Sequence, residues 1–155
     1  MTLEDAIKQK KFGSEYQKLI VNLIYTGNWI NEKELILFKK YGLTGPQYNV
    51  LRILKGQYPQ PATVNLIIER MLDRMSNASR IVDRLERKEL VMRKQCKNDR
   101  RAVDVIITER GLEVLDKIDL KIDLWESSYT NLSLQEARQM NSLLDKLRAG
   151  NTLKN

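Results

Sequence analysis

Apolar residues fall along this chain in blocks whose period changes from helical to alternating and back. From Ser14 the positions Tyr16, Leu19, Ile20, Leu23, Ile24 and Ile30 recur at helical spacing, which predicts a long helix to about Lys40, with Gly27 a weak point inside it. The twelve residues before it are polar and predict a frayed lead-in. Thr44-Gly45-Pro46-Gln47 then supplies a Thr N-cap, Pro in the first turn and Gln at the third helical position. Tyr48, Val50, Leu51, Ile53 and Leu54 follow as core-facing positions. Two prolines make residues 57–61 a loop, and Thr63 caps a further helix whose Leu66, Ile67, Met71 and Leu72 are expected to pack on the helix after it.

That next helix, residues 76–89, places Ala78, Ile81, Val82 and Leu85 on one stripe. Ser76, Arg80, Asp83 and Arg87 fall on the opposite face, with Asn77 and Arg84 beside them. The period then drops to two. A strand is expected at residues 91–95, a polar turn CKNDRR after it, and a second strand at 102–107, where Val103, Val105 and Ile107 alternate with Asp104 and Ile106. Helical spacing returns after Thr108, with Leu112, Leu115, Ile118, Ile122 and Trp125 in one stripe. Ser133-Leu134-Gln135-Glu136 is a full capping box opening a last helix, which carries Leu134, Ala137, Met140, Leu144 and Leu147 on one side.

Charge sharpens the picture. The chain of 155 residues has a formal net charge of +7. Residues 74–101 alone hold ten Arg or Lys against four acids, so nearly all the excess lies in one segment. Concentrated positive charge on a helix and the hairpin behind it implies a polyanionic partner. A helix fits the major groove, and an Arg at a hairpin tip fits a narrow, negative minor groove. Asp83 and Arg87 are also spaced to pair with each other, which would make the face merely solvated, but the basic hairpin beside it argues against that reading.

Other chemistry finds little footing. There is no His, no Gly-rich phosphate loop and no Cys cluster, so an enzyme, a cofactor and a metal site are not expected. The single Cys96 lies near Lys94 and Lys97, which would favour a thiolate, yet an ordinary exposed thiol is the simpler reading. No apolar run is long enough to span a membrane, and the N-terminal stretch lacks a signal-type core, so a cytoplasmic protein is expected. Trp29, Trp125 and the tyrosines fit a helical core better than a ligand pocket.

The run ASRIVDRLERKELVMRKQCKNDRRAVDVIITERG, with LTGPQYNVLRIL before it and LSLQEARQMNSLLDKL after it, resembles the MarR family of winged-helix transcription regulators over residues 43–147. Its most specific parts are VDRLERK and DRRA-x-x-x-x-x-T-x-x-G. The expected architecture is mainly α (α+β): a winged helix-turn-helix with a two-stranded β wing at residues 43–108, flanked by dimerising helices at 1–42 and 109–155. The resemblance implies a homodimer that binds double-stranded DNA at a pseudo-palindromic operator, usually as a repressor. It also implies a small aromatic or anionic effector. Ser76, Asn77, Ser79, Arg80 and Arg84 are the expected recognition-helix contacts. Lys97, Arg100 and Arg101 are the expected wing contacts, with Asp99 orienting the loop. The family usually has Gly where this chain has Glu89, so the turn leaving the recognition helix is expected to differ. A sequence-nonspecific nucleoid-type protein and a winged-helix adaptor for a protein partner are the alternatives that the pattern leaves open.

Overall fold

The computed structural model describes residues 1–95, 103–129 and 131–149. Its elements are α1 Leu3–Ile7, α2 Glu15–Lys39, α3 Gly45–Gln57, β1 Ala62–Thr63, α4 Val64–Arg70 and α5 Ala78–Arg87. They are followed by β2 Val91–Gln95, β3 Val103–Ile107, α6 Glu109–Glu126 and α7 Leu134–Ala149. Two compact units result, residues 1–116 and 117–155.

In the first unit α3 is central, packing on α2, α4, α5 and β3. Val50, Leu51 and Leu54 of α3 are fully buried, together with Ile67 of α4, Val82 and Leu85 of α5, and Val105 of β3. Tyr48 and Ile53, also expected inside, are half-buried. The capping box at Thr44 is present, with Gln47 N donating to Thr44 Oγ1 at 3.4 Å and Thr44 N to Gln47 Oε1 at 3.2 Å. The three-stranded antiparallel sheet runs β1-β3-β2, so the expected two-stranded wing gains a third strand. That strand is two residues long, Ala62 against Val105 and Thr63 against Asp104, too short to leave a periodic signal.

Three expectations are corrected. The lead-in is not frayed: Thr2 and Asp5 form a reciprocal capping box, Leu3 is buried, and Glu4 pairs with Lys18 at 2.5 Å. Its polar residues are the caps themselves. Leu72 does not pack inward but is 88% exposed. Helix α4 ends at Arg70, and Met71 turns to extended backbone, so the helical phase that aligned Leu72 with Ile67 no longer applies. Gly27 does not weaken the course of α2, which runs unbroken through it.

Helices α2 and α5 leave by the same kind of turn. After α2, Gly42 is left-handed at φ +67°, with Gly42 N bonded to Lys39 O and Leu43 N to Phe38 O. After α5, Glu89 takes that role at φ +60°, with Glu89 N bonded to Glu86 O and Leu90 N to Leu85 O. The turn at Glu89 is therefore the one glycine favours, adopted here by a residue with a side chain.

The T-x-x-G motif pins this exit to α6. Thr108 Oγ1 donates to Glu89 O at 2.8 Å and accepts from Gly111 N at 3.1 Å. A Cβ on Gly111 would lie 2.3 Å from the Leu90 carbonyl oxygen, so only glycine allows the approach.

In the second unit Trp125 and Tyr129 meet edge-on at 5.0 Å. The expected capping box opens α7, with Glu136 N donating to Ser133 Oγ at 3.3 Å and Ser133 N to Glu136 Oε2 at 2.8 Å.

Candidate nucleic-acid interface

Helix α5 separates its two faces as the sequence predicts: Ala78, Ile81, Val82 and Leu85 are buried, while Ser79, Arg80, Arg84 and Arg87 are exposed. It starts two residues later than expected, because Asn77 is the N-cap and its side-chain carbonyl accepts Arg80 N–H at 3.0 Å. That oxygen is occupied, so the Asn77 amide NH2 is the group left to face a partner. Ser76 lies outside the helix and donates its hydroxyl to Asp73, whose carboxylate also accepts Met75 N–H at 3.0 Å. The Ser76 hydroxyl bond, and then the Met75 amide, hold the Asp73 carboxyl below its usual range.

One edge of α5 is fastened to the hairpin. Arg93 on β2 pairs with Asp83 at 2.5 Å and Glu86 at 3.4 Å, and donates to Ser79 O at 3.3 Å. Arg93 therefore lies along the helix at the foot of the hairpin. Asp83 is engaged by Arg93, not by Arg87. The tip residues Lys97, Asp99, Arg100 and Arg101, and Cys96, lie outside the described residues.

The opposite edge faces the α2–α3 junction across an open groove of about 400 Å³. Lys39, Arg84, Arg87 and Lys88 all border it. Lys88 Nζ donates to the Gly42 carbonyl and, at 3.1 Å, to Gln47 Oε1. The buried Gln47 oxygen thus accepts from both Thr44 N and Lys88, which ties the end of α5 to the start of α3. Among the described residues, Arg80, Arg84, Arg87 and Lys39 have no acidic partner. The sequence reading did not place Lys39, Arg87 and Lys88 among the contacts, since residue 39 and residue 88 come together only through the fold.

A helix-turn-helix whose second helix presents unpaired arginines, with an antiparallel hairpin braced against it, is a winged-helix DNA-binding module. The chain belongs to the MarR family of transcription regulators: the model of the MarR family matches residues 43–103. It is 33% identical over 101 residues to the HTH-type transcriptional regulator MhqR of Bacillus subtilis, covering 65% of this chain and 68% of that one. It is 29% identical over 111 residues to the HTH-type transcriptional regulator MgrA of Staphylococcus aureus, covering 72% and 74%. The fold matches the crystal structure of the S. aureus MepR–DNA complex with a TM-score of 0.77 and 21% identity, over 91% of this chain and 100% of that one. Members of this family are transcription regulators, not enzymes. Among the described residues no helix is long and apolar enough to cross a membrane.

Proposed function

We propose that this chain is a sequence-specific repressor that works in the cytoplasm as a homodimer on a pseudo-palindromic operator. The observation that carries this reading is the cationic face Arg80, Arg84 and Arg87, which has no acidic partner among the described residues and is framed by the hairpin on one side and by Lys39 and Lys88 on the other. Ser76, Asn77, Ser79, Arg80 and Arg84 read base edges and adjacent phosphates. Lys97, Arg100 and Arg101 serve the wing, which Asp99 orients, and residues 43–108 form the DNA module.

Residues 1–42 and 109–155 supply the dimer contacts in this reading. Tyr16, Ile20 and Ile24, four residues apart on α2, are 79%, 58% and 61% exposed, and no residue of α7 is buried. A second subunit would remove this apolar surface from water, and it would set two recognition helices about one helical turn, ~34 Å, apart. A small effector that changes this spacing would tune DNA affinity.

The test is competitive selection of the purified protein on a random duplex library at about 0.15 M salt. An enriched inverted repeat with half-sites ~10 base pairs apart is expected. Binding without enrichment would overturn sequence specificity, and absence of binding would overturn the DNA reading altogether.

A further inference from the structure

Which end of a side chain is free decides which base it can read. In the major groove guanine shows the acceptors O6 and N7 and thymine shows O4, whereas cytosine shows its N4 amino donor and adenine sets an N6 amino group beside N7. An asparagine with both ends free grips adenine, donating to N7 and accepting from N6. Asn77 is not free in that way. Its Oδ1 accepts Arg80 N–H at 3.0 Å, the bond that caps the first turn of α5. The two-point grip needs both ends of the amide aimed at one base edge. Here the oxygen end is turned back onto the helix, so this exposed side chain meets the groove with its NH2 alone.

The donors continue along the helix. Asn77, Arg80 and Arg84 stand at i, i+3 and i+7, which sets them in one exposed stripe about 10 Å long, the rise of roughly three base pairs. Guanidinium groups donate and never accept. The acceptors of α5 lie on a different edge, where Ser79, Asp83 and Glu86 follow one another at i, i+4 and i+7. Arg93 braces that edge, bonding Asp83 at 2.5 Å, Glu86 at 3.4 Å and the Ser79 carbonyl at 3.3 Å. The Asp73 carboxylate is taken up by the Ser76 hydroxyl and the Met75 amide, and Ser76 itself is half-buried outside the helix. The stripe that faces a partner therefore offers donors without acceptors.

We infer that Asn77 is a specificity-determining residue that selects guanine or thymine at one position of each half-site and rejects adenine and cytosine there. An amino group of adenine or cytosine opposite the Asn77 NH2 would give up its water without gaining an acceptor, which penalises those bases. Arg80 and Arg84 extend the same preference along the stripe, since a guanidinium matches guanine O6 and N7. The inference rests on the regulator reading above, which puts α5 in the major groove, and adds to it the class of base that the helix accepts.

The test repeats the duplex selection with the full-length parent, Asn77→Gly and Asn77→Asp. Anisotropy titrations then follow on four duplexes that differ only at the position whose preference the glycine variant loses. Glycine removes the side chain, while aspartate keeps the capping oxygen and exchanges the NH2 for an acceptor; both are good N-caps, so the melting temperatures should stay within about 3 °C of the parent. At that position the parent is expected to favour guanine or thymine about five-fold over adenine and cytosine. Asn77→Gly should flatten the preference to within about two-fold, and Asn77→Asp should shift it toward cytosine. A parent preference for adenine or cytosine there, no position that responds to Asn77→Gly, or an aspartate variant that keeps the parent's preference would each overturn the inference. Any of these with an enriched repeat for the parent refutes the role of Asn77 and leaves the regulator reading standing. Absence of enrichment for the parent refutes the regulator reading, and the inference falls with it.

Discussion

Exchanging Glu89 for glycine and, separately, for alanine isolates the left-handed turn at the exit of the recognition helix. Both variants lose the exposed ion pair between Glu89 and Arg110, so that contribution cancels between them. What differs is the backbone: an L-residue at φ +60° carries a cost of about 1–2 kcal/mol that glycine does not. Glycine gives back roughly 0.5–1 kcal/mol through its freer unfolded chain. Glu89→Gly should therefore be more stable than Glu89→Ala by about 0.5–1 kcal/mol, or about 1–4 °C in melting temperature. The measurement is urea unfolding at one fixed protein concentration, because association would otherwise shift the midpoint. An alanine variant as stable as the glycine variant would mean that residue 89 is not left-handed in solution. The path from α5 into β2 described above would then be wrong.

Four further outcomes are expected. Gly111→Ala should destabilise the fold by about 2–3 kcal/mol, since its Cβ would collide with the Leu90 carbonyl and with Ile107, and a shift of the denaturation midpoint reads this directly. Arg101→Ala should weaken binding to the selected operator at least about three-fold while the elution volume stays that of the parent protein, and unchanged affinity would remove Arg101 from the proposed interface. Lys39→Ala should lower affinity for operator and random duplex alike and reduce the salt slope by about 1, as loss of one phosphate contact requires. The Glu34 carboxyl is raised in the folded state, so the native protein holds more proton there than the unfolded chain does. Stability should then fall as pH rises through the window just above 4.5, and Glu34→Gln should flatten that part of the stability profile.

Much of the architecture was legible because it rests on short-range rules. Caps announce themselves as Ser or Thr just before a helical stripe, and Thr44, Thr63, Thr108 and Ser133 all proved to cap the helices assigned to them, with Gln47 and Glu136 completing the box at the first and last. The buried stripe of α5 followed from a period of 3.6 over ten residues. Long-range features were opaque. Strand β1 is two residues whose partner lies some forty positions later, and nothing local reveals that Asp83 and Glu86 face Arg93. The groove beside Arg84 was invisible for the same reason: Lys39 and Lys88 border it together only after α2, α3 and α5 have been packed.

The Arg93 brace has a consequence for the nucleic acid rather than for the protein. By holding the foot of the hairpin to Asp83, Glu86 and the Ser79 carbonyl, it leaves α5 and β2 little freedom to rotate separately. In the proposed complex, the base pairs read by the helix and those reached by the wing within one half-site must then keep a constant helical phase. Insertion of a single base pair between them turns the second element by about a tenth of a turn, and a braced module cannot follow it. Operators for this protein should tolerate substitutions inside a half-site far better than insertions.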